Sequence, residues 1–206
     1  MTQQRSPALL VADAPGLDFL NSVATPTDTP IDWIDDGAGL LAWLEQAQLV
    51  PSETLHAMRA QALPGELDAA AAQARALREW FRSFVRKHKG RQLTGRALHE
   101  LEPLNRLLER DEGFGRIVAQ GKTGILELQA ERRWRSPESL LLPIAEAMAQ
   151  LVCEKDFTDV KACEGAHCTL LFVDATRGRA RRWCSMAMCG NRAKVAAHRE
   201  RRRTLA

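Results

Sequence analysis

The chain has 206 residues, of which 45% are hydrophobic and 27% charged, and its formal net charge is +3. This balance is typical of a soluble globular protein and excludes a largely disordered chain. No segment approaches the roughly 20 consecutive apolar residues that a membrane span needs, and residues 1–12 lack the apolar run of a secretory signal. We therefore expect a cytoplasmic protein that does not cross a membrane.

The charge is divided unevenly along the chain. Residues 1–160 hold 18 Lys/Arg against 23 Asp/Glu, whereas residues 161–206 hold 11 Lys/Arg against 3 Asp/Glu. Such asymmetry indicates that the C-terminal segment, rather than the body, meets a polyanion. A solvated basic tail is the alternative interpretation.

Apolar residues at helical spacing predict a mainly helical body. In residues 67–84 they recur every three or four positions, so this segment should be a helix with one buried face. The opposite face, which includes Arg78 and Arg82, is expected to be solvated. Further helices are predicted at 37–48, at 52–62, from about Thr94 with Leu98 in its apolar stripe, and after Ser136 with Cys153 on its apolar side.

Two β-forming segments, 116–120 and 124–128, flank a glycine-containing turn and predict a hairpin. Together these elements predict a mainly α fold with a small β-hairpin, in the α+β class. The shift in composition predicts a helical domain over 1–158 and a cysteine-rich, basic domain over 159–206. The body contains no paired-histidine metal motif, phosphate loop or nucleophile elbow, so we do not expect an enzyme.

Four of the five cysteines form two C-x4-C pairs, Cys163 with Cys168 and Cys184 with Cys189. Zn²⁺ favours four tetrahedral sulfur or imidazole ligands, and clustered thiols in a reducing compartment are more often metal ligands than disulfides. The spacing therefore predicts a zinc site. Two alternatives remain open: disulfides or unlinked thiols, and a site in which His167 replaces one thiolate.

The zinc module is expected to be a knuckle, a hairpin and a helix. Residues 170–173 would form a strand, Gly178 part of the turn, and the second cysteine pair would begin a helix. Four thiolates around Zn²⁺ leave a charge of −2, which nearby cations and N–H donors should offset. The residues expected to surround the site in this way are Gly190, Asn191 and Arg192.

The run Cys189-Gly190-Asn191-Arg192 resembles the CGNR zinc finger. Trp183, Ser185, Met186 and Lys194 also match that motif in place. Residues 17–22 and 41–44 are similar to the ABATE domain, which accompanies this finger and is proposed to belong to stress-induced transcription regulators. The resemblance implies bound zinc and an inferred DNA-binding regulatory role.

The prediction for function is a zinc-dependent, DNA-binding transcription regulator. Arginines after the strand and at the end of the last helix would contact phosphates, and Lys194, His198 and Arg199 would read bases. The predicted DNA-contacting residues are Arg177, Arg179, Arg181, Arg182, Lys194, His198, Arg199, Arg201, Arg202 and Arg203.

Three further interpretations stay open. The zinc module could be structural and bind a protein or RNA rather than DNA. A homodimer would suit a palindromic DNA site. A small-molecule effector could bind the N-terminal domain, although no pocket residues are identified for it.

Overall fold

The computed structural model describes residues 6–121 and 123–204, and these form a helical body with three small antiparallel strand pairs. The predicted α+β fold class is confirmed. The helices are α1 (Pro15–Leu20), α2 (Gly37–Gln46), α3 (Ser52–Gln61), α4 (Glu66–His88), α5 (Glu102–Leu108), α6 (Leu141–Glu154) and α7 (Asn191–Thr204). The strand pairs are β1 (Val23–Ala24) with β2 (Ile31–Asp32), β3 (Gly113–Gln120) with β4 (Ile125–Arg132), and β5 (Val160–Ala162) with β6 (Leu171–Val173). Short 3-10 helices cover Gly95–Leu101, Pro137–Leu140 and Phe157–Asp159, and a π turn covers Met186–Gly190.

The helix α4 is the centre of the body core. Most of its apolar stripe, predicted from residues 67–84, is buried, with Leu67 and Leu77 partly exposed, and α1 and α2 pack against the helix. At its C-terminal end Phe84 lies 6.1 Å, centroid to centroid, from Phe157 of the segment that leads into the cysteine-rich region. None of the helices in the part of the chain that the structure describes is long and apolar enough to cross a membrane.

Two arginines of α4 lie inside the body, so the expectation that this helix face is solvated is wrong for them. Arg78 is 3% exposed and donates to the Asp32 carboxylate at 2.6 and 2.8 Å and to Ser22 at 2.9 Å. Arg82 is 6% exposed and donates to the backbone oxygen of Leu20. Their burial is tolerated because these acceptors replace the water that a charged group loses.

Two apolar residues assigned to helix stripes are exposed instead. Leu98 lies in a 3-10 helix, whose three residues per turn move it off the stripe of a 3.6-residue repeat, and it is 60% exposed. Cys153 lies on the solvent side of the last turn of α6, where Leu151 takes the buried position.

Strand β6 joins the cysteine-rich region to the body. Leu171, Phe172 and Val173 are all buried. The Asn21 side chain donates to the Leu171 carbonyl at 2.9 Å and accepts from the Leu171 N–H at 3.0 Å, and Val173 donates to the Ala12 carbonyl at 2.9 Å. The finger is therefore fixed to the body by strand-like pairing as well as by the shared apolar core.

Candidate metal centre and nucleic-acid interface

The first cysteine pair lies in the loop that connects β5 to β6. Cys163 donates its N–H to the Leu170 carbonyl at 2.9 Å, which closes the loop, and Cys168 donates to the Gly165 carbonyl at 3.0 Å. A Cβ at Gly165 would stand 2.8 Å from the Cys189 sulfur, so only glycine fits there. Sequence reasoning missed Gly165, although a glycine between paired cysteines is a usable signal for a tight knuckle.

The predicted partner of the second strand is wrong. Residues 170–173 were expected to turn near Gly178 and return through the arginines, but β6 pairs with β5, which precedes the first cysteine. Residues 174–183, called the arginine segment below, form no strand. The knuckle and the hairpin are thus one unit, because the first cysteine pair lies at its tip.

In the second cysteine pair, Cys184 precedes the π turn and Cys189 lies within it, just before α7. Cys189 and Gly190 both donate their N–H groups to the Ser185 carbonyl, at 3.0 and 3.1 Å. A Cβ at Gly190 would stand 2.6 Å from the Met186 sulfur, so a larger residue would push the turn apart. Since α7 begins at the next residue, Asn191, the position of this turn sets the start of the helix.

The sulfur atoms of Cys163, Cys168, Cys184 and Cys189 all lie within 4.8 Å of one another. Cys168 and Cys184 are 3.9 Å apart, and Cys184 and Cys189 are 3.6 Å apart. A tetrahedral ZnS₄ centre with bonds of about 2.3 Å requires sulfur separations of about 3.8 Å, whereas a disulfide requires about 2.05 Å. The cluster therefore fits a Zn²⁺ ion and not two disulfides. His167 is exposed and lies outside this group of ligand atoms.

Donors around the sulfurs offset the negative charge of a thiolate cluster. The backbone N–H groups of Gly165 and Cys184 point at the Cys163 sulfur, at 3.4 and 3.3 Å. Arg192 donates to the Cys189 sulfur at 3.0 Å and to the backbone oxygen of Pro26 in the body. Such contacts orient metal ligands and stabilise their charged form. The Asn191 side chain, expected to help, has no hydrogen-bond partner in residues 6–121 and 123–204.

The proximity of the sulfurs shifts the pKa values of Cys168 and Cys184 in opposite directions. The hydrogen bond between the Cys184 and Cys168 sulfurs lowers the pKa of Cys168 to about 5. The same contact, together with burial, raises the pKa of Cys184. The contact therefore favours the thiolate form of Cys168, which is the form that binds a metal ion.

The Arg181 side chain points inward and is 19% exposed. Its guanidinium lies 4.2 Å from the centroid of the Phe172 ring. It forms an ion pair with Asp13 and donates to the backbone oxygens of Val11 at 2.9 Å and of Cys184. Arg181 therefore connects the body, β6 and the second cysteine pair at a single point, and its charge is already neutralised.

The other three arginines of the arginine segment are exposed, and they differ in whether a carboxylate pairs with them. Arg179 pairs with Asp159, and Arg182 pairs with Glu164 at 2.6 Å. Arg177 is exposed and has no partner in the part of the chain that is described. Two of these three charges are thus also balanced by carboxylates of the same protein.

Buried Asp174, which sequence reasoning did not single out, organises this segment. Its carboxylate accepts hydrogen bonds from Lys161 Nζ at 2.7 Å, from the backbone N–H of Arg181 at 2.9 Å and from the Thr176 hydroxyl. Burial alone would raise the pKa of Asp174, but these hydrogen bonds hold it well below its usual range. The arginine segment is therefore folded around an internal negative charge.

The helix α7 has the opposite character, since its residues from Lys194 to Arg203 are all exposed. Lys194, His198 and Arg201 follow at spacings of four and three and so share one face. Among the described residues, no ion-pair partner is found for the arginines of its last two turns, which are Arg199, Arg201, Arg202 and Arg203.

Comparison with known families places both parts of the chain. Residues 13–155 match the ABATE family, whose description is "Putative stress-induced transcription regulator", and residues 160–202 match the CGNR zinc finger. A search of curated proteins finds no significant match. The cluster of four cysteines in this finger is consistent with Zn²⁺ binding. The chain belongs to the ABATE family and carries a CGNR zinc finger that binds Zn²⁺.

Proposed function

We propose that this chain is a DNA-binding transcription regulator in which α7 contacts double-stranded DNA. In this proposal Cys163, Cys168, Cys184 and Cys189 are the four zinc ligands. Four thiolates close the coordination shell, so the metal has a structural role and holds the turn from which α7 starts. Both matching families are regulator and zinc-finger families, which supports a function without catalysis.

The observation that carries the proposal is the free charge of α7. Arg199, Arg201, Arg202 and Arg203 are exposed and lack ion-pair partners within residues 6–121 and 123–204. Guanidinium groups in this state can neutralise phosphates and release the counterions of DNA, which favours binding. In the arginine segment, by contrast, acidic side chains of the protein already form ion pairs with most of the arginines.

The face of α7 suggests how its residues divide the work. Lys194 and His198 would approach base edges in the major groove, and the arginines of the later turns would bind the flanking phosphates. Arg199 lies beside this face and can serve either role. We assign Arg181 to the joint between finger and body instead of to DNA, and we expect Arg177 to add a phosphate contact at the edge of the interface.

Fluorescence anisotropy with a labelled random-sequence duplex tests the proposal. We expect the zinc-loaded chain to bind at low salt and to lose binding when a chelator removes the metal. With four arginine contacts, log K should fall against log salt concentration with a slope of about −4. No duplex binding at low salt would refute the proposal.

The same assay separates the main competing function, a structural zinc module that binds RNA or a protein. A structured RNA of equal length serves as competitor. Preferential displacement of the duplex by this RNA would favour RNA binding, and equal weak displacement by any polyanion would indicate charge attraction without a defined interface.

Three narrower predictions complete the proposal. We place the boundary between the helical domain and the finger at residues 158 and 159, and we expect the protein in the cytoplasm. A small-molecule effector of the N-terminal domain stays a prediction without a site assigned to it.

A further inference from the structure

The β3–β4 hairpin, called the ribbon below, exposes an apolar face. In its register Ile117 lies opposite Leu128 and Ala119 opposite Leu126, so their side chains emerge on the same side. Ile117, Leu126 and Leu128 are 71%, 71% and 76% exposed. The apolar face consists of Gly115, Ile117, Ala119, Leu126, Leu128 and Ala130, none of which is charged or polar. At the base of the ribbon the same side continues into Gly113 and Arg132, and the Arg132 guanidinium is already paired with carboxylates of the body.

The opposite face of the ribbon is different. It carries Arg116, Glu127 and Glu131, and Arg116 pairs with Glu131 at 3.5 Å. One side of the ribbon therefore carries charged side chains, of which Arg116 and Glu131 pair with each other, and the other side presents an uncharged surface. The alternation is that of an antiparallel strand pair with one face meant for burial.

A two-stranded ribbon of this kind is marginal in water, since both edges lack a neighbouring strand and no layer covers the apolar face. Among the described elements, β3 and β4 pair with each other and form no sheet with any other strand. The base of the ribbon is held to the body by Arg132, which pairs with Asp111 at 2.6 Å and with Glu146 at 2.9 Å. The base of the ribbon is thus held to the body while its apolar face stays open.

We propose that the apolar face is a dimer interface that a second copy of this chain covers, ribbon against ribbon. A face without charge offers nothing that would select a partner of unlike charge, whereas it is compatible with itself under a two-fold axis. Homodimer interfaces are the more apolar class of protein contacts. Leu128 lies over Gly115, at 3.1 Å from where a Cβ would be, so ridges and a groove alternate across the face. A two-fold operation sets ridge against groove.

The exposed area indicates the strength of this contact. The three large side chains and their small neighbours offer roughly 400 Å² of apolar surface per copy. A standard stable interface uses about 800 Å² per partner, so the ribbon by itself supports only a weak dimer. The proposal does not depend on DNA binding, although two fingers in one dimer would suit two half-sites.

Sedimentation velocity of the full, zinc-loaded chain across the micromolar range tests the interface. Leu128→Glu puts a charge in the centre of the apolar face, twice per dimer, and should weaken dimerisation at least tenfold. The matched control is Ile125→Glu, since Ile125 is 61% exposed but emerges on the opposite face. Raised salt should leave the wild-type dimer intact because no ion pair holds it.

Zinc content and circular dichroism verify that both variants fold. Dimerisation that Leu128→Glu weakens and Ile125→Glu leaves unchanged supports the proposal. A wild-type chain that stays monomeric, equal weakening by both variants, or no effect of either variant overturns it. The last result would indicate pairing through strand edges. A different outcome would assign the face to a lipid surface instead. In that case the wild-type chain would be monomeric and bind phosphatidylcholine vesicles, and Leu128→Glu would lose this binding.

Discussion

Two arginine-rich parts of one finger use their charge in different ways. In the arginine segment, Arg181 is enclosed by Asp13, backbone carbonyls and the Phe172 ring, and two of its neighbours pair with carboxylates. In α7 the arginines of the last turns are exposed and lack ion-pair partners in the part of the chain that is described. The first set holds the protein together, and the second is free to meet a ligand.

The difference shows that a run of basic residues in the sequence does not reveal whether its charges stabilise the protein or bind a ligand. Residues 161–206 carry an excess of Lys/Arg over Asp/Glu, yet some of these side chains contact the cysteine cluster or the body and are not available to a ligand. Buried arginines act through oriented hydrogen bonds, and exposed ones act through counterion release. Substitutions should therefore separate into those that alter stability and those that alter affinity for DNA.

Removal of a sulfur ligand should have the largest effect, because it acts on both regions together. We expect Cys184→Ser to abolish zinc binding, unfold the finger and eliminate duplex binding, since structural Zn²⁺ contributes about 10 kcal/mol or more of folding free energy. Zinc release with a chromogenic chelator and circular dichroism measure the loss. The matched control is Cys153→Ser, an exposed cysteine outside the cluster, which should retain one zinc ion. Loss of zinc from both variants would contradict the ligand assignment.

Arg181→Gln should lower the free energy of unfolding by about 3 kcal/mol, because Asp13 and several backbone oxygens lose a charged donor. Chemical denaturation of the zinc-loaded chain measures this. Arg177→Gln is the matched control from the same segment, and it should change stability by less than about 0.5 kcal/mol. Similar stabilities for the two variants would show that Arg181 does not hold the joint.

The triple variant Arg201→Gln, Arg202→Gln, Arg203→Gln should behave in the reverse manner. We expect duplex affinity to fall roughly 10- to 100-fold at moderate salt, because three phosphate contacts are lost, while stability changes by less than about 0.5 kcal/mol. Anisotropy and denaturation on the same preparation measure both quantities. An unchanged affinity would remove α7 from the interface.

Asp18→Asn should have the smallest effect on the free energy of unfolding. It acts on the segment that contains Val11 and Asp13, which Arg181 contacts. Asp18 accepts from the Ala12 N–H at 3.0 Å, and burial raises its pKa to about 6. Since the folded state holds this proton more tightly than the unfolded state, wild-type stability should decline as pH rises from about 4 to about 6. The variant lacks this decline and should be about 1 kcal/mol more stable at pH 7.5.

Unfolding free energies at several pH values between 5 and 8 test this prediction, with Asp28→Asn at an exposed position as the control. The advantage of Asp18→Asn over wild type should grow with pH up to about 6 and then stay constant. A constant difference at every pH would mean that Asp18 does not change its protonation in this range.

Much of the fold and the metal centre was predictable because the signals are local. Helix α4 is recognisable from the helical spacing of its apolar residues, and the CGNR run with its cysteine pairs identifies the finger. The burial of Arg78 was not predictable, since its partners Ser22 and Asp32 lie 56 and 46 residues away. A helical face with arginines looks solvated until a distant loop supplies acceptors.

The same limit explains the remaining errors. The pairing of β6 with β5 depends on which segment closes the knuckle, and the inward turn of Arg181 depends on Asp13, 168 residues away. The hairpin itself was predicted correctly from its turn, but burial of its faces is a property of the surroundings. Sequence patterns indicate which face is apolar, and the tertiary structure decides whether anything covers it.

The salt dependence of duplex binding by Arg181→Gln and by the triple α7 variant tests the central claim most directly. If α7 carries the phosphate contacts, the triple variant should reduce the magnitude of the log–log slope by roughly 2 to 3, and Arg181→Gln should leave the slope unchanged. A slope that falls by about 1 in Arg181→Gln and stays unchanged in the triple variant would place the DNA on the arginine segment instead.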